Sequence, residues 1–505
     1  MFDKSVSLSY VENVDDDELA KVDVLCFGHF NVIHPGHLRF LKFASAKGNE
    51  LAILLKSDTD FKKSERPHFF TEEERRNSLL NLRLVDQVFS KGNLSLEECI
   101  KAIGPKYLVL GSEFQNNVSS EFSEAIKTLE SKGGNVIFHS GEKDADSNYL
   151  DVDFKGLNSE NRLKFVNVFK RRQISRERII QITDEFKNQK ILVLGDLIID
   201  EFRSCEPLGL SSEAPVVVVK ELGSTTYTGG AGIVAAHIAS LGGKSHLLSV
   251  CGNDDVGVGA SEDLNEKNVI HDLIIDNSRP TTFKTRFIVG TQKLFRVSRL
   301  SDHDVSSNIE DKIIAKLEEH IPSANGLIVS DFVYGVVTKN ILEKIQSLAK
   351  SRDVKLFGDL QCSSQLGNVL KFRNFDLILP TEKEARLATE NKDDSLEFVA
   401  QELLERSHCK ALVITLSGQG SIVYRKLKNG YVDKEHFPAL SSNAVDVSGA
   451  GDSMLSAMAL SMCAGADAIE ANLIGSIVSS CAVEILGNQP IMKSSLLQKV
   501  HSFMN

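Results

Sequence analysis

Short apolar runs alternate with helix-period segments along nearly the whole chain. A brief Val-, Ile- and Leu-rich run suits a strand covered on both faces, and parallel strands of that kind need crossover helices between them. The alternation therefore predicts α/β folds built on mostly parallel sheets. At 505 residues the chain exceeds what one ordinary hydrophobic core organises, so more than one domain is expected. Strands are expected at KVDVLCF (21–27), ELAILL (50–55), KYLVLG (106–111) and NVIFHS (135–140), with HLRFLKFASAKG and TEEERRNSLLNL as helices among them. These define a first domain over residues 20–140. Residues 141–172 are rich in charge and Asn with weak periodicity and read as a connector. A second domain over 173–505 starts with the helix ISRERIIQITDEFKNQK and a strand ILVLGDLIID, and continues through GLIVSDF, VKLFGDL, DLILP and ALVITLSG.

Composition narrows the classes of partner. Lys and Arg number 58 against 69 Asp and Glu, a net charge of -11. An anionic ligand must then be held by local cations and backbone N–H groups, and a broad nucleic-acid surface is not expected. No apolar run approaches the roughly 20 residues that span a bilayer, and the N-terminus has no apolar segment behind a basic one. A cytoplasmic location and no membrane partner are the expectation. The eight cysteines form no C-x-x-C pair and read as small buried apolar residues.

The most informative stretch is AVDVSGAGDSMLSAMALSMCAGA (444–466). A β-rich segment ends at Val447, and Ser448-Gly449-Ala450-Gly451-Asp452 opens a strongly helical pattern. Small residues let the backbone approach a ligand, and the first N–H groups of a helix have no intrahelical acceptor. The result is a cradle for phosphate or a developing oxyanion. A carboxylate at that turn can take a proton from an attacking hydroxyl. The same residues read equally as a small-residue turn with Asp452 as a helix cap. In the first domain, VDVLCFGHFNVIHPGHLRFLKFA places His34 and His37 three apart where a strand gives way to a helix. Both imidazoles can face one pocket, where the helix N-terminus adds positive potential. The spacing fits as well a histidine that caps the helix beside one at the surface.

With these motifs in order, the C-terminal part resembles the ribokinase-like (PfkB) sugar kinases, and among them the heptose-phosphate kinase domain of the ADP-heptose synthesis enzymes. The resemblance runs from about Lys190 to the C-terminus through ILVLGDLIIDEF, SSEAPVVVVKE, TGGAGIVAAHIASLGG, GLIVSDFVYGVV, FGDLQ, LPTEKEARLA, VITLSGQGSIVY and DVSGAGD. It implies a ribokinase-like α/β domain with a small β lid. It also implies that Asp452 is the base, with Gly449, Ala450 and Gly451 as its anion hole. By the same resemblance Asp196, Asp200, Gly229, Gly230 and Asp331 line the sugar site, and Arg296 meets a substrate phosphate. Glu384 acts through water on the Mg2+ that accompanies ATP, while Thr415, Ser417, Gly418 and Asn472 surround the nucleotide. The sequence departs from the pattern at Ile233, where Asn is usual, at Thr381, the Asn of N-x-x-E, at Gln361, where Lys is expected, and at Tyr334, where Lys is common.

Residues 22–139 resemble the cytidylyltransferase-like family through H-x-G-H, LKSDTDFKKSERP, TEEERRNSLLNLRLVDQVF and VLGSEF. That likeness implies a Rossmann-like nucleotidyltransferase domain with His34 and His37 catalytic. Lys62 or Lys63 and Arg66 would contact phosphates, Glu73 and Arg75 would shape the nucleotide site, and Gly28 and Phe30 would lie along the nucleotide. Asn31 stands where Asp is usual, and the Ser/Thr-rich phosphate motif is reduced to Ser147. Together the likenesses imply a sugar kinase joined to a sugar-phosphate nucleotidyltransferase, in the reverse of the usual domain order. Sugar or sugar phosphate and nucleoside triphosphate are the implied substrates, with a homodimer through the lid. The alternative is a kinase alone, whose N-terminal domain binds nucleotide without catalysis.

Overall fold

The computed structural model describes residues 22–30, 33, 35–58, 70–111, 114, 120–139, 157–213, 216–290, 292–361, 367–427, 431–441 and 444–504. The chain separates into two compact units, one of residues 1–150 with 391–399, the other of 151–390 with 400–505.

The first unit holds five strands, β1 (Val24–Gly28), β2 (Leu51–Leu55), β3 (Gln87–Ser90), β4 (Tyr107–Gly111) and β5 (Asn135–His139), in the order β3-β2-β1-β4-β5. All pair in parallel. β1 and β2 are buried at every residue, as a sheet covered on both faces requires. The order reverses between β1 and β4, so a crevice forms beyond the C-terminal ends of those strands. The helix Pro35–Ser45 follows β1 there. The helix Glu72–Leu80 starts on a capping box, in which Thr71 and Glu74 satisfy each other's backbone N–H groups.

In the second unit the main sheet runs β10 (Ile270–Ile275), β9 (Lys244–Cys251), β6 (Lys190–Gly195), β13 (Gly326–Asp331), β14 (Lys355–Leu360), β15 (Leu377–Ile378), β16 (Ala411–Thr415), β17 (Ser421–Lys426) and β18 (Val432–Phe437). It is parallel from β10 to β16, and the last two strands are antiparallel. A second sheet holds β7 (Leu197–Leu210), β8 (Val217–Gly230), β11 (Thr282–Val289) and β12 (Gln292–Arg299) in the order β12-β11-β7-β8. These make the expected α/β body with its β lid.

The segment ILVLGDLIID, read as one strand, is two. β6 ends in the main sheet at Gly195, and the chain turns at Asp196 into β7 of the lid. Gly195 lies so close to β13 that a Cβ there would stand 1.8 Å from the Ser330 carbonyl oxygen. Hydropathy is continuous across the change of sheet, so it left no mark in the apolar pattern.

The span read as a connector contains a helix, Leu157–Arg172. Its Phe165 is fully buried, with its ring centroid 5.3 Å from Phe169, 6.2 Å from Phe437 and 5.4 Å from Phe503. Arg172 forks onto Asp433 at 2.9 and 3.0 Å and reaches the buried Glu435 at 2.6 Å. The charges that made the segment look solvated are therefore partly spent on β18. Cys26, Cys99, Cys205, Cys251, Cys409 and Cys481 are buried and Cys463 half-buried, all as free thiols. No helix among the described residues is long and apolar enough to cross a membrane.

Removing the Phe165 ring leaves a void in this aromatic cluster. Phe165→Ala is expected to destabilise the second unit by ~3–5 kcal/mol. Calorimetry of the full chain would show that unit's transition at lower temperature, and an unmoved transition would contradict the packing.

Candidate active site

In a parallel sheet the carboxyl ends of the strands are where loops converge, and the crevice opens where strand order reverses. In the second unit that point lies between β6 and β13. Asp196 follows β6 and Asp331 ends β13. One Asp196 carboxylate oxygen accepts the Phe332 N–H at 2.8 Å and the Tyr334 N–H at 3.4 Å. Burial pushes its carboxyl above the ordinary range, against those hydrogen bonds. Lys371 forms an ion pair with Asp331, and its own ammonium is pushed down to about 8 by burial.

Asp452 sits in the first turn of the helix Ala450–Cys463. Gly449, not Asp452, is the N-cap, so the capping alternative for Asp452 falls away. Gly449 has φ 78°, and a Cβ there would meet Asn488 Oδ1 at 2.0 Å. Glycine is required at this position on both counts. At Gly451 a Cβ would meet nothing within 4 Å. The Ser453 N–H closes the first intrahelical bond, to the Gly449 carbonyl at 2.9 Å, so the Gly451 and Asp452 amides precede the helical ladder.

The surroundings of Asp452 are acidic and dry. Its carboxyl is pushed up to about 7, first by burial and then by the charge of Asp200. Asp359, at the end of β14, is raised well above the ordinary range by burial, by Asp452 and by Glu384. The Gln361 side-chain amide donates to Asp452 Oδ1 at 2.9 Å and to Asp359 Oδ2 at 3.1 Å. The sequence departure at Gln361 thus joins the two acids through a neutral donor.

The lid supplies the cations. Parallel pairing sets Lys284 of β11 opposite Asp200 of β7, and antiparallel pairing sets Arg286 opposite Arg296 of β12. With side chains alternating along a strand, Lys284, Arg286 and Arg296 share one face. Arg286 forms an ion pair with Asp200. Lys284 is buried, its ammonium 5.2 Å from the Phe332 ring and 5.0 Å from the Tyr334 ring, and its charge lowers the Asp452 carboxyl. Arg296 is exposed. Gly229 and Gly230 end β8: a Cβ on Gly229 would meet Asp200 Oδ2 at 2.6 Å, and one on Gly230 the Asp196 carbonyl oxygen at 2.2 Å. Sequence reasoning missed Lys284, Arg286 and Lys371. The cations at alternate positions of TFKTRFIV were the available signal for the first two.

Beyond β15 and β16 lie the remaining candidates. Thr381 caps the helix Glu382–Thr389, and Glu384 returns a side-chain bond to the Thr381 N–H at 2.9 Å. Thr415 ends β16 and its N–H reaches the Pro380 carbonyl at 3.0 Å. Ser417 and Gly418 are exposed in the turn after it, Ser417 with φ 51°. Asn472 is fully buried on the helix Ala468–Ala482 and donates to Ser421 Oγ at 3.1 Å. Of the other departures, Ile233 is buried within the helix Ala231–Ser240, and Tyr334 is buried beside Phe332 at 6.3 Å.

In the first unit His37 lies in the first turn of the helix that follows β1, its ring 5.1 Å from Phe30. Phe30 is buried with φ 46°, and a Cβ on Gly28 would meet its ring at 2.9 Å. Arg75 is buried and donates to the carbonyls of His29 at 2.6 Å and Lys56 at 3.0 Å, with an ion pair to Asp58 at 2.7 Å. It ties together the loops that leave β1 and β2. Glu73 is exposed two residues before Arg75 on the same helix. His34, Lys62, Lys63 and Arg66, with Asn31 and Ser147, lie outside the described residues.

Comparison with known proteins finds likenesses to both parts of the chain. The cytidylyltransferase-like family profile matches residues 25–202. "Bifunctional protein HldE" of Geobacter sulfurreducens is 29% identical over 310 residues, 61% of this chain and 62% of that protein. The protein of the same name from Helicobacter hepaticus is 30% identical over 324 residues, 63% of this chain and 65% of the relative. The chain thus spans less than two thirds of the length of these curated relatives. Phosphofructokinase-2 from Escherichia coli, solved in complex with substrates and products, superposes with a TM-score of 0.53 at 18% identity, covering 63% of this chain and 99% of that one. Its likeness establishes the fold of the second unit. The profile of the pfkB family carbohydrate kinase matches residues 188–494, more than half of the sequence, and the chain belongs to that family.

Proposed function

We propose that the second unit transfers a phosphoryl group from ATP to a hydroxyl of a sugar or sugar phosphate of the heptose-phosphate type, with Asp452 as the general base. The observation that carries this reading is the Asp452 carboxyl itself, raised to about 7 at the start of a helix whose glycine cap leaves its first amides clear. A base poised near working pH takes the hydroxyl proton in the transition state most effectively. Of the amides of Gly449, Ala450 and Gly451, that of Ala450 reaches the Val447 carbonyl at 3.4 Å, so the other two are the ones to face the charge on the moving phosphoryl, and fixed dipoles of this kind in a buried site carry much of catalysis. Asp196, Asp200, Gly229, Gly230 and Asp331 orient the sugar. Arg286 and Arg296 form the cationic face for a substrate phosphate, where guanidinium geometry suits two-point contact. Thr415, Ser417, Gly418 and Asn472 shape the nucleotide side.

The acids fit a divalent ion. The Glu384 charge opposes ionisation of Asp359, and hard oxygen donors are the set that Mg2+ takes, often through water. When bound, Mg2+ neutralises charge on the ATP phosphates. Glu384, held by Thr381, and Asp359 are the residues that would hold its water shell.

The first unit supports the second half of a bifunctional reading, nucleotidyl transfer to a sugar 1-phosphate with release of pyrophosphate. His37 at a helix start beyond β1, with His34 three residues before it, would stabilise charge on phosphorus as pyrophosphate departs. Lys63, Arg66, Glu73, Gly28 and Phe30 belong to the same nucleotide site, and Arg75 holds its loops. Asn31 and the missing Ser/Thr-rich motif favour a second reading, a kinase with a nucleotide-binding but inactive first unit. A homodimer through the lid belongs to the proposal as well, and exposed Leu208, Leu210, Val217 and Leu222 on β7 and β8 support it.

Asp452→Asn should lower kinase turnover on the order of 10²-fold or more while ATP affinity stays near the wild-type value. ADP release across a panel of sugar phosphates checks this, and undiminished turnover would remove Asp452 from its role. Wild-type turnover should rise with pH through about 7, since the base acts unprotonated. Stability runs the other way. The folded chain keeps a proton that the unfolded chain releases above 3.8, so the stabilising contribution is complete below that value and is lost as pH rises through about 7. Denaturant unfolding at about pH 5 and about pH 8 should therefore show a smaller loss for Asp452→Asn than for wild type. For the first unit, pyrophosphate release should fall at least ~10²-fold in His37→Ala. A wild-type rate no higher than the variant's would instead select the kinase-only reading.

A further inference from the structure

At the end of the main sheet opposite the acids, three side chains from three elements meet. His246 is the third residue of β9, Asp272 the third of β10, and His320 the last of the helix Ser307–His320. His246 Nε2 and His320 Nε2 both lie 2.8 Å from the same oxygen, Asp272 Oδ2. The two rings approach to 4.0 Å between centroids. One donor atom from each residue falls within 4.8 Å of the other two, and no other group of three such residues among those described does so. His246 is buried, while Asp272 and His320 are partly so.

A carboxylate oxygen can accept from both rings through its two lone pairs, but two imidazole nitrogens and a carboxylate oxygen brought to one point from three separate elements also meet the geometric demand of a metal ion. It is the arrangement expected of a chelate. Two imidazole nitrogens and a carboxylate oxygen are a first-row transition-metal donor set, and they suit Zn2+ far better than Mg2+. With metal–ligand bonds of about 2.0–2.2 Å, tetrahedral donors stand ~3.3 Å apart, so the 2.8 Å contacts need open by only about half an ångström. The outer groups are also in place. Lys316 Nζ lies 3.1 Å from the other oxygen, Asp272 Oδ1, and 3.0 Å from Glu319 Oε2, which fixes the carboxylate's orientation. Glu319 Oε1 stands 4.0 Å from His320 Nε2, within reach of the fourth position. A cavity of about 500 Å³ lined by Leu273, Ile275, Lys312, Ala315, Lys316 and Glu319 opens beside the cluster and offers access from solvent.

We propose that His246, Asp272 and His320 form a structural site for a divalent transition-metal ion of the Zn2+ class, separate from the kinase's Mg2+, that clamps the edge strands β9 and β10 to the helix Ser307–His320. When the ion binds, each imidazole carries its proton on Nδ1 and offers the Nε2 lone pair, so the ion replaces two hydrogen bonds on one oxygen with three bonds to itself. It thereby locks the outer edge of the sheet whose inner strands carry the acids.

The test uses the full chain, stripped with a chelator, then equilibrated with Zn2+ in excess Mg2+. The bound zinc is counted in wild type, Asp272→Asn and His320→Gln. Both variants keep side-chain volume and hydrogen bonding, and neither residue belongs to the phosphoryl-transfer site, so kinase turnover at saturating Mg–ATP reports that the unit is folded. Wild type should bind one equivalent per chain more than either variant. Zinc should also raise the unfolding temperature of the kinase unit in wild type but not in the variants. Equal zinc content in all three proteins would overturn the site, whether that content is zero or is held elsewhere, such as by His34 and His37. A variant that loses turnover is replaced by His246→Gln under the same comparison.

Discussion

The chemistry proposed for the second unit depends on one backbone turn. Gly449 takes a left-handed conformation against Asn488, in a space where any side chain would collide. That single steric constraint starts the helix Ala450–Cys463 at the position that leaves its first amides ahead of the ladder and brings Asp452 into a buried setting. A residue with a Cβ would push the turn away from Asn488. The amides and the carboxylate would then lose their shared geometry, whatever the rest of the fold did.

A buried carboxylate among other acids is expensive unless its charge is shared or suppressed. Here both occur. Asp452 is raised by burial and by Asp200, Asp359 by burial, Asp452 and Glu384, Gln361 bridges Asp452 and Asp359 with a neutral amide, and Lys284 brings a cation held against two aromatic rings. Asp200 is balanced by Arg286 from the neighbouring strand. Asp359 comes from the main sheet and Asp452 from the helix Ala450–Cys463, while Asp200 and the cations Lys284 and Arg286 come from the lid, so the electrostatics of the site belong to both sheets at once. The bend at Asp196, where β6 gives way to β7, is what joins them.

Much of this was readable from the chain. The alternation of apolar runs identified both α/β units because the core faces of parallel strands must be apolar on both sides. The glycine-rich turn before Asp452 and the double glycine at Gly229 and Gly230 were visible because glycine at a close approach has no substitute. The helix Leu157–Arg172 was not, since its polar residues find partners such as Asp433 and Glu435 far along the sequence. Lys284, Arg286 and Lys371 were missed for a similar reason. Their meaning lies in what stands opposite them, and strand register is not written in any one segment.

Local sequence determined most of the elements, the two-unit organisation, and the turns where only glycine fits, because these follow from sterics and from short-range hydropathy. Only the tertiary structure decided which charges meet. It set Lys284 against Asp200 and Asp452, placed Gln361 between two acids, committed Arg75 to loop carbonyls, and turned His246, Asp272 and His320 onto one point. The reason is physical: a charge's effect depends on distance and burial, and both are properties of the packed chain rather than of the order of its residues.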